Sequence, residues 1–166
     1  QEMFRLLNQN EADLMYTLDS HIYDTNFAIL QESRISMHFV CAADNPLAER
    51  DRVSVEELAK QPFLLTEKGM SYRRLMDEQL AARSLEIKPV FVSGNADLIC
   101  HLVEHGAGLS LLPDYVTRPY VEKGRLRYVH VPEIRLEVWT QLLHHRDKWI
   151  SEPMRIVIDY LHRCVL

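Results

Sequence analysis

Two kinds of chemistry-bearing residue stand out in this chain. Thr66, Glu67, Ser71, Ser93 and Asn95 are polar side chains placed just after short apolar runs and just before helical stripes. In an open α/β sheet, ligands sit beyond the carboxyl ends of strands, and a helix start there presents unpaired N–H groups and partial positive charge. Such a place suits a carboxylate or similar anion. Ser71 and Asn95 are also good helix caps, and Thr66 also reads as a plain strand residue. Glu67 would repel an anion. The second kind is the pair His101 and His105, four apart with Glu104 between them. That spacing can serve a metal, but the order is not H-E-x-x-H and no third ligand is apparent. The polar outer face of a helix explains both, so no metal and no cofactor are expected. His144-His145 reads as surface. Cys41 reads as a small core residue, because a reactive thiol needs a basic neighbourhood. There is no G-x-S-x-G, phosphate-binding loop or G-x-G-x-x-G, and no acid–base or nucleophile constellation, so an enzyme is not expected.

The elements that position these residues centre on 88–113, KPVFVSGNADLICHLVEHGAGLSLLP. Val90–Val92 and Leu109–Leu112 are apolar runs, read as two buried strands. Leu98, Ile99, Leu102 and Val103 between them form a helical stripe that Gly106 and Gly108 stop. This is a βαβ crossover, so its strands run parallel. Before it, 1–9 reads as the end of a helix capped by Asn10, 12–18 as a strand and 20–26 as loop. Ile35, Met37, Phe39 and Cys41 alternate with polar or smaller neighbours in a further strand. Ser54–Glu57 is a capping box opening a short helix through Gln61. Pro62–Thr66 is a strand, and a helix follows from Ser71 to about Arg83. On it, Arg73 with Asp77 and Arg74 with Glu78 read as surface pairs. After the crossover come a helix over 114–123 interrupted by Pro119, strands at 126–131 and 136–143, and a last helix opened by Ser151. Strands alternating with helices indicate an α/β protein with mostly parallel sheets. The strands near 35–41 and 136–143 link otherwise separate blocks, and each is expected to cross between two lobes.

With 166 residues, 47% of them hydrophobic, the chain can bury one sizeable core or two small lobes. No apolar run approaches the roughly 18 residues of a membrane span. The net charge of −5 argues against this chain itself gripping DNA. Its densest basic patches, Arg73-Arg74 and Arg125–Arg127, have acidic neighbours. Three widely spaced cysteines, Cys41, Cys100 and Cys164, fit reduced thiols in a cytoplasm. The start, QEMFRLLNQN, lies inside an amphipathic pattern and reads as a truncation.

Five segments in order carry a resemblance. They are E-A-D-L at 11–14, D-N-P-L-A at 44–48, S-V-E-E-L-A-K-Q-P-F-L-L at 54–65, Gly69 ahead of R-R-L-M-D at 73–77, and N-A-D-L-I-C-H-L-V-E-H-G-A-G-L-S-L-L-P at 95–113. The chain resembles the effector-binding domain of LysR-type transcriptional regulators. The resemblance implies a type II periplasmic-binding-protein-like fold, two α/β lobes joined by two crossing strands with a small effector between them. Lobe I would be 1–37 plus 141–166, its first strands missing, and lobe II 39–139. It adds Thr17 and Leu18 from lobe I and His38 from a crossing strand to the effector-binding candidates. It implies a homodimer or tetramer, and DNA contact only through a winged helix-turn-helix outside this chain. A solute-binding protein of a transport system is the alternative on the same scaffold.

Overall fold

The structure is a computed structural model that describes residues 2–164; the side chain of Cys164 lies outside the description. The chain divides into two compact units, 1–35 with 137–166, and 36–136.

The first unit contains α1 (Glu2–Asn8), β1 (Met15–Asp19), β2 (Phe27–Ile35), β8 (Val138–His145) and α6 (Glu152–Cys164). Asn10 has φ 61, the left-handed conformation expected where α1 ends. Strand β8 is central, antiparallel to both β1 and β2. Its neighbouring residues face opposite sides. Leu143 packs with Leu7, Met15 and Phe27, and Leu142 with Met154 and Ile158 of α6. Both faces of β8 are covered, so it carries no polar–apolar alternation in burial. A bulge between Ile29 and Gln31 breaks the pattern of β2. That is why sequence periodicity finds only the end of this nine-residue strand.

The second unit contains, in order, β3 (Met37–Ala42), a 3-10 turn (Pro46–Glu49), α2 (Val55–Leu58), β4 (Leu64–Leu65) and α3 (Ser71–Ala81). Then come β5 (Phe91–Val92), α4 (Ala96–Glu104), β6 (Ser110–Pro113), α5 (Asp114–Glu122) and β7 (Leu126–Val129). Strand β3 lies between β6 and β7, antiparallel to both, and β4 pairs parallel with β5. A parallel bridge from Phe63 to Leu109 joins the two sets, giving the order β5-β4-β6-β3-β7. Phe39 and Cys41 face a core shared with Phe63, Met76 and Leu80. Val40 faces the opposite core, with Ile99, Cys100 and Val103 of α4. Helices therefore cover both faces. Burial pushes the Cys41 thiol up to about 11 and Cys100 to about 12, which keeps both protonated and inert.

Three expectations change. The pairing is not mostly parallel: the first unit's sheet is antiparallel throughout and the second unit's is mixed, because β3 and β8 each run against both of their neighbours. The run at Val90–Val92 is exposed rather than buried, because β5 pairs only with β4 and ends the sheet among the described residues. Helix α5 runs through Pro119 without a break. Val116, Tyr120 and Val121 pack it onto the core and offset the missing N–H.

Candidate functional site

Pairing directions fix where the candidates lie. Strands β4, β5 and β6 run the same way and β3 runs against them, so three carboxyl ends and the start of β3 share one edge of the sheet. Along that edge stand Ser93, Thr66 with Glu67, Asp114 and His38, and helices α3, α4 and α5 start there.

The three helix starts differ. At α4, Asn95 accepts a hydrogen bond from Leu98 N at 3.1 Å, and Ser93 Oγ accepts from Asn95 N at 3.1 Å. Asp97 sits in its first turn. Helix α5 opens on the carboxylate of Asp114. Helix α3 has Met70, not Ser71, at its cap position, with no side-chain cap and no acidic residue in its first turn. Ser71 is its first helical residue and is half-buried. Glu67, exposed, lies against Gly94, its Oε1 3.4 Å from where a Cβ there would stand. Ser93 N donates to Leu65 O at 3.2 Å, which holds the ends of β4 and β5 together.

Thr66 is only 1% exposed and shares a side-chain hydrogen bond with Tyr72. Its carbonyl accepts from Arg73 Nη1 at 3.2 Å. Arg73 is 3% exposed and donates from Nε to both Asp77 carboxylate oxygens at 2.9 and 3.0 Å. The pair expected on the surface is therefore a buried guanidinium holding the β4–α3 turn. Four-residue spacing reveals the partner but not the depth.

His38 sits on β3 with its ring stacked on Tyr128, centroids 4.1 Å apart. Its Nε2 lies 3.6 Å from Asp114 Oδ1, which also accepts from Tyr128 Oη at 3.0 Å. Arg118 pairs with the same carboxylate. Asp114 and Tyr128 are the residues that sequence reasoning misses. The only available signal was a helix opening on Pro-Asp. Partial burial works to raise the Asp114 pKa, but hydrogen bonds from Arg118 and Tyr128 hold it below the usual carboxylate value. A cavity of about 250 Å³ lies beside His38, lined also by Phe39, Leu111, Val129 and Arg135.

Burial lowers the His38 pKa against the opposing pull of Asp114. The unfolded chain then takes up a proton more readily, so stability contributed by neutral His38 is full above about 6.5 and is lost as pH falls toward the folded-state value. Between about pH 7.5 and 5.5 the wild type should lose unfolding free energy relative to His38→Gln. Urea titrations of both at several pH values measure this, and a relative gain on acidification would reverse the sign.

In the first unit, Thr17 and Leu18 are half-buried on β1, opposite Gln141 and Thr140. Gln141 is fully buried. Its Oε1 accepts from Ile22 N at 2.8 Å and its Nε2 donates to Glu32 at 3.1 Å. His21 Nε2 lies 2.7 Å from the same carboxylate. Elsewhere in the second unit, one nitrogen or carboxylate oxygen from each of His101, Glu104 and His105 lies within 4.8 Å of the others.

A family model described as the LysR substrate binding domain matches residues 1–164. The chain belongs to the LysR substrate-binding-domain family. Within it, the chain is 35% identical to the HTH-type transcriptional regulator YeiE of Escherichia coli (strain K12) over 119 residues, 72% of this chain and 40% of that protein. It is 30% identical to the HTH-type regulator YwqM of Bacillus subtilis (strain 168) over 154 residues, 92% of this chain and 52% of that one. The chain thus spans about half or less of these regulators. The transport alternative finds no support among them. The LysR regulatory-domain fold is shared with the effector-binding domain of QuiR in complex with shikimate. There the TM-score is 0.73 at 17% identity, covering 98% of this chain and 76% of that one. The Synechocystis CcmR regulatory domain in complex with 2-PG gives a TM-score of 0.77 at 18% identity, over 98% and 77%. Among the described residues no helix is long and apolar enough to cross a membrane.

Proposed function

We propose that this domain senses a small anionic metabolite for a cytoplasmic LysR-type regulator and catalyses no reaction. The observation that carries the anion is the α3 N-terminus: it has no side-chain cap and no acid in its first turn. The start of α4 is capped by Asn95, and the start of α5, also without a side-chain cap, already carries the carboxylate of Asp114 in its first turn. A carboxylate at Ser71 would complete the α3 terminus and gain from its partial positive charge. Ser93 and Asn95 shape the neighbouring turn, Thr66 positions α3 from beneath, and Glu67 limits the ligand's charge or orients a donor on it. His38 and Asp114 extend the same edge with an acceptor and a titratable ring. The shikimate and 2-PG bound by QuiR and CcmR are compatible with this reading. The effector biases a homo-oligomeric regulator only by its differential affinity for two arrangements, and DNA contact belongs to a helix-turn-helix domain of the same regulator.

Thermal-shift screening against small carboxylates, aromatic acids, amino acids and neutral polyols tests the proposal. A true effector raises the melting temperature with its concentration over Kd. Ser71→Ala should weaken an anionic hit at least about tenfold, the loss of one hydrogen bond to a charged group. Stabilisation by neutral polyols alone, or undiminished anion affinity in Ser71→Ala, would remove the anion from α3.

A further inference from the structure

We propose a divalent-metal site of the zinc type at the carboxyl end of α4, formed by His101, Glu104 and His105. These residues share one helix face at i, i+3 and i+4. One ligand atom from each lies within 4.8 Å of the others. Ligands held tetrahedrally about 2.0–2.2 Å from an ion stand roughly 3.4 Å apart. His101 Nδ1 and His105 Nδ1 lie 2.8 and 3.8 Å from Glu104 Oε1, and both imidazoles are exposed and can turn either ring nitrogen toward it.

Three further observations point the same way. The Glu104 side chain is only 9% exposed, and its Oε2 is buried without a hydrogen-bond partner. Arg125 Nη1 stands 3.6 Å from that oxygen, beyond hydrogen-bond reach. A buried carboxylate oxygen with no donor is costly, and a cation satisfies it. Next, His105 Nδ1 lies 2.7 Å from the carbonyl oxygen of His101. A carbonyl only accepts, so Nδ1 carries the proton and Nε2 keeps its lone pair for a metal. Finally, α4 ends at Glu104 with His105 as its cap, where unpaired carbonyls give partial negative charge that favours a cation. An open cavity of about 570 Å³ bordered by Asp44 and Arg125 leaves room for water or a further oxygen ligand. Two imidazoles and a carboxylate select borderline ions such as Zn²⁺ over Mg²⁺ or Ca²⁺.

Calorimetric titration of the protein with ZnCl₂ should show one equivalent bound, and Mg²⁺ should not compete. His101→Ala, His105→Ala and Glu104→Gln should each lower the affinity at least about tenfold. His130→Ala, an exposed imidazole on another segment, should leave it unchanged. Arg125→Ala should retain or strengthen binding by removing a competing cation. Both His101 and His105 are exposed, so their variants keep the fold, and circular dichroism checks this. Failure to bind Zn²⁺, or binding that survives the His101→Ala/His105→Ala double variant, overturns the site. Loss of binding in Arg125→Ala alone would also overturn it, since Arg125 would then be required rather than competing.

Discussion

Gly108→Ala is expected to destabilise the second unit by about 3 kcal/mol or more. Gly108 has φ +152, which side chains rarely adopt. An added Cβ would stand 2.5 Å from Pro62 O and 3.0 Å from both Pro62 C and Leu64 Cδ1. Two of those atoms are backbone and cannot rotate away. They are held there because Leu109 N donates to Pro62 O and Leu64 N to Leu109 O, each at 2.8 Å. This crossing is the bridge that joins β5-β4 to β6-β3-β7, so yielding there opens the sheet. Gly106→Ala is the comparison. Its φ is also positive, at +78, but nothing lies within 4 Å of the added carbon, so strain alone costs about 1 kcal/mol. Urea unfolding of both variants separates clash from strain. Equal losses would mean that β4 and β6 do not approach as closely as described.

Asp77→Ala should cost about 3 kcal/mol, the lower end for removing one partner of a buried ion pair. Arg73 would keep its charge at 3% exposure, with only the Thr66 carbonyl left of the partners described above. Because Asp77 is itself 38% exposed, water can reach part of the gap and holds the loss at that lower end. Arg73→Met removes the charge while keeping most of the volume, and should cost only about 1 kcal/mol. The double variant should therefore be more stable than Asp77→Ala alone. Chemical denaturation of the three proteins gives the cycle. A double variant worse than either single change would show that the charge itself stabilises the turn.

The central crossover was legible because its apolar stripe and its glycines agree on where α4 begins and ends. The capping box at Ser54 is legible from its Ser-x-x-Glu spacing, and Ser54 Oγ does accept from Glu57 N at 3.3 Å. Depth was harder to read. Arg73 and Asp77 look alike whether a helix face is wet or dry, since spacing records neighbours and not what lies above them. Edge position was hidden too, because Val90–Val92 has a buried strand's composition at the rim of the sheet. Ser71 has the side chain of a cap, but the helix begins one residue earlier than that role requires and Met70 takes the position. The His38–Asp114–Tyr128 group joins three elements distant in sequence, and only the register of β3 with β6 and β7 brings it together.

Strand β8 has one further consequence, for synthesis. In the first unit β1 and β2 each pair with β8, which lies between them. It follows the whole of 36–136 in the chain. On a ribosome the second unit emerges as an unbroken segment and can collapse at once, whereas the first unit's early strands must wait, unpaired, until their shared partner is translated. Nascent β1 and β2 are thus the segments a chaperone would meet open, and translation of β8 decides when they close.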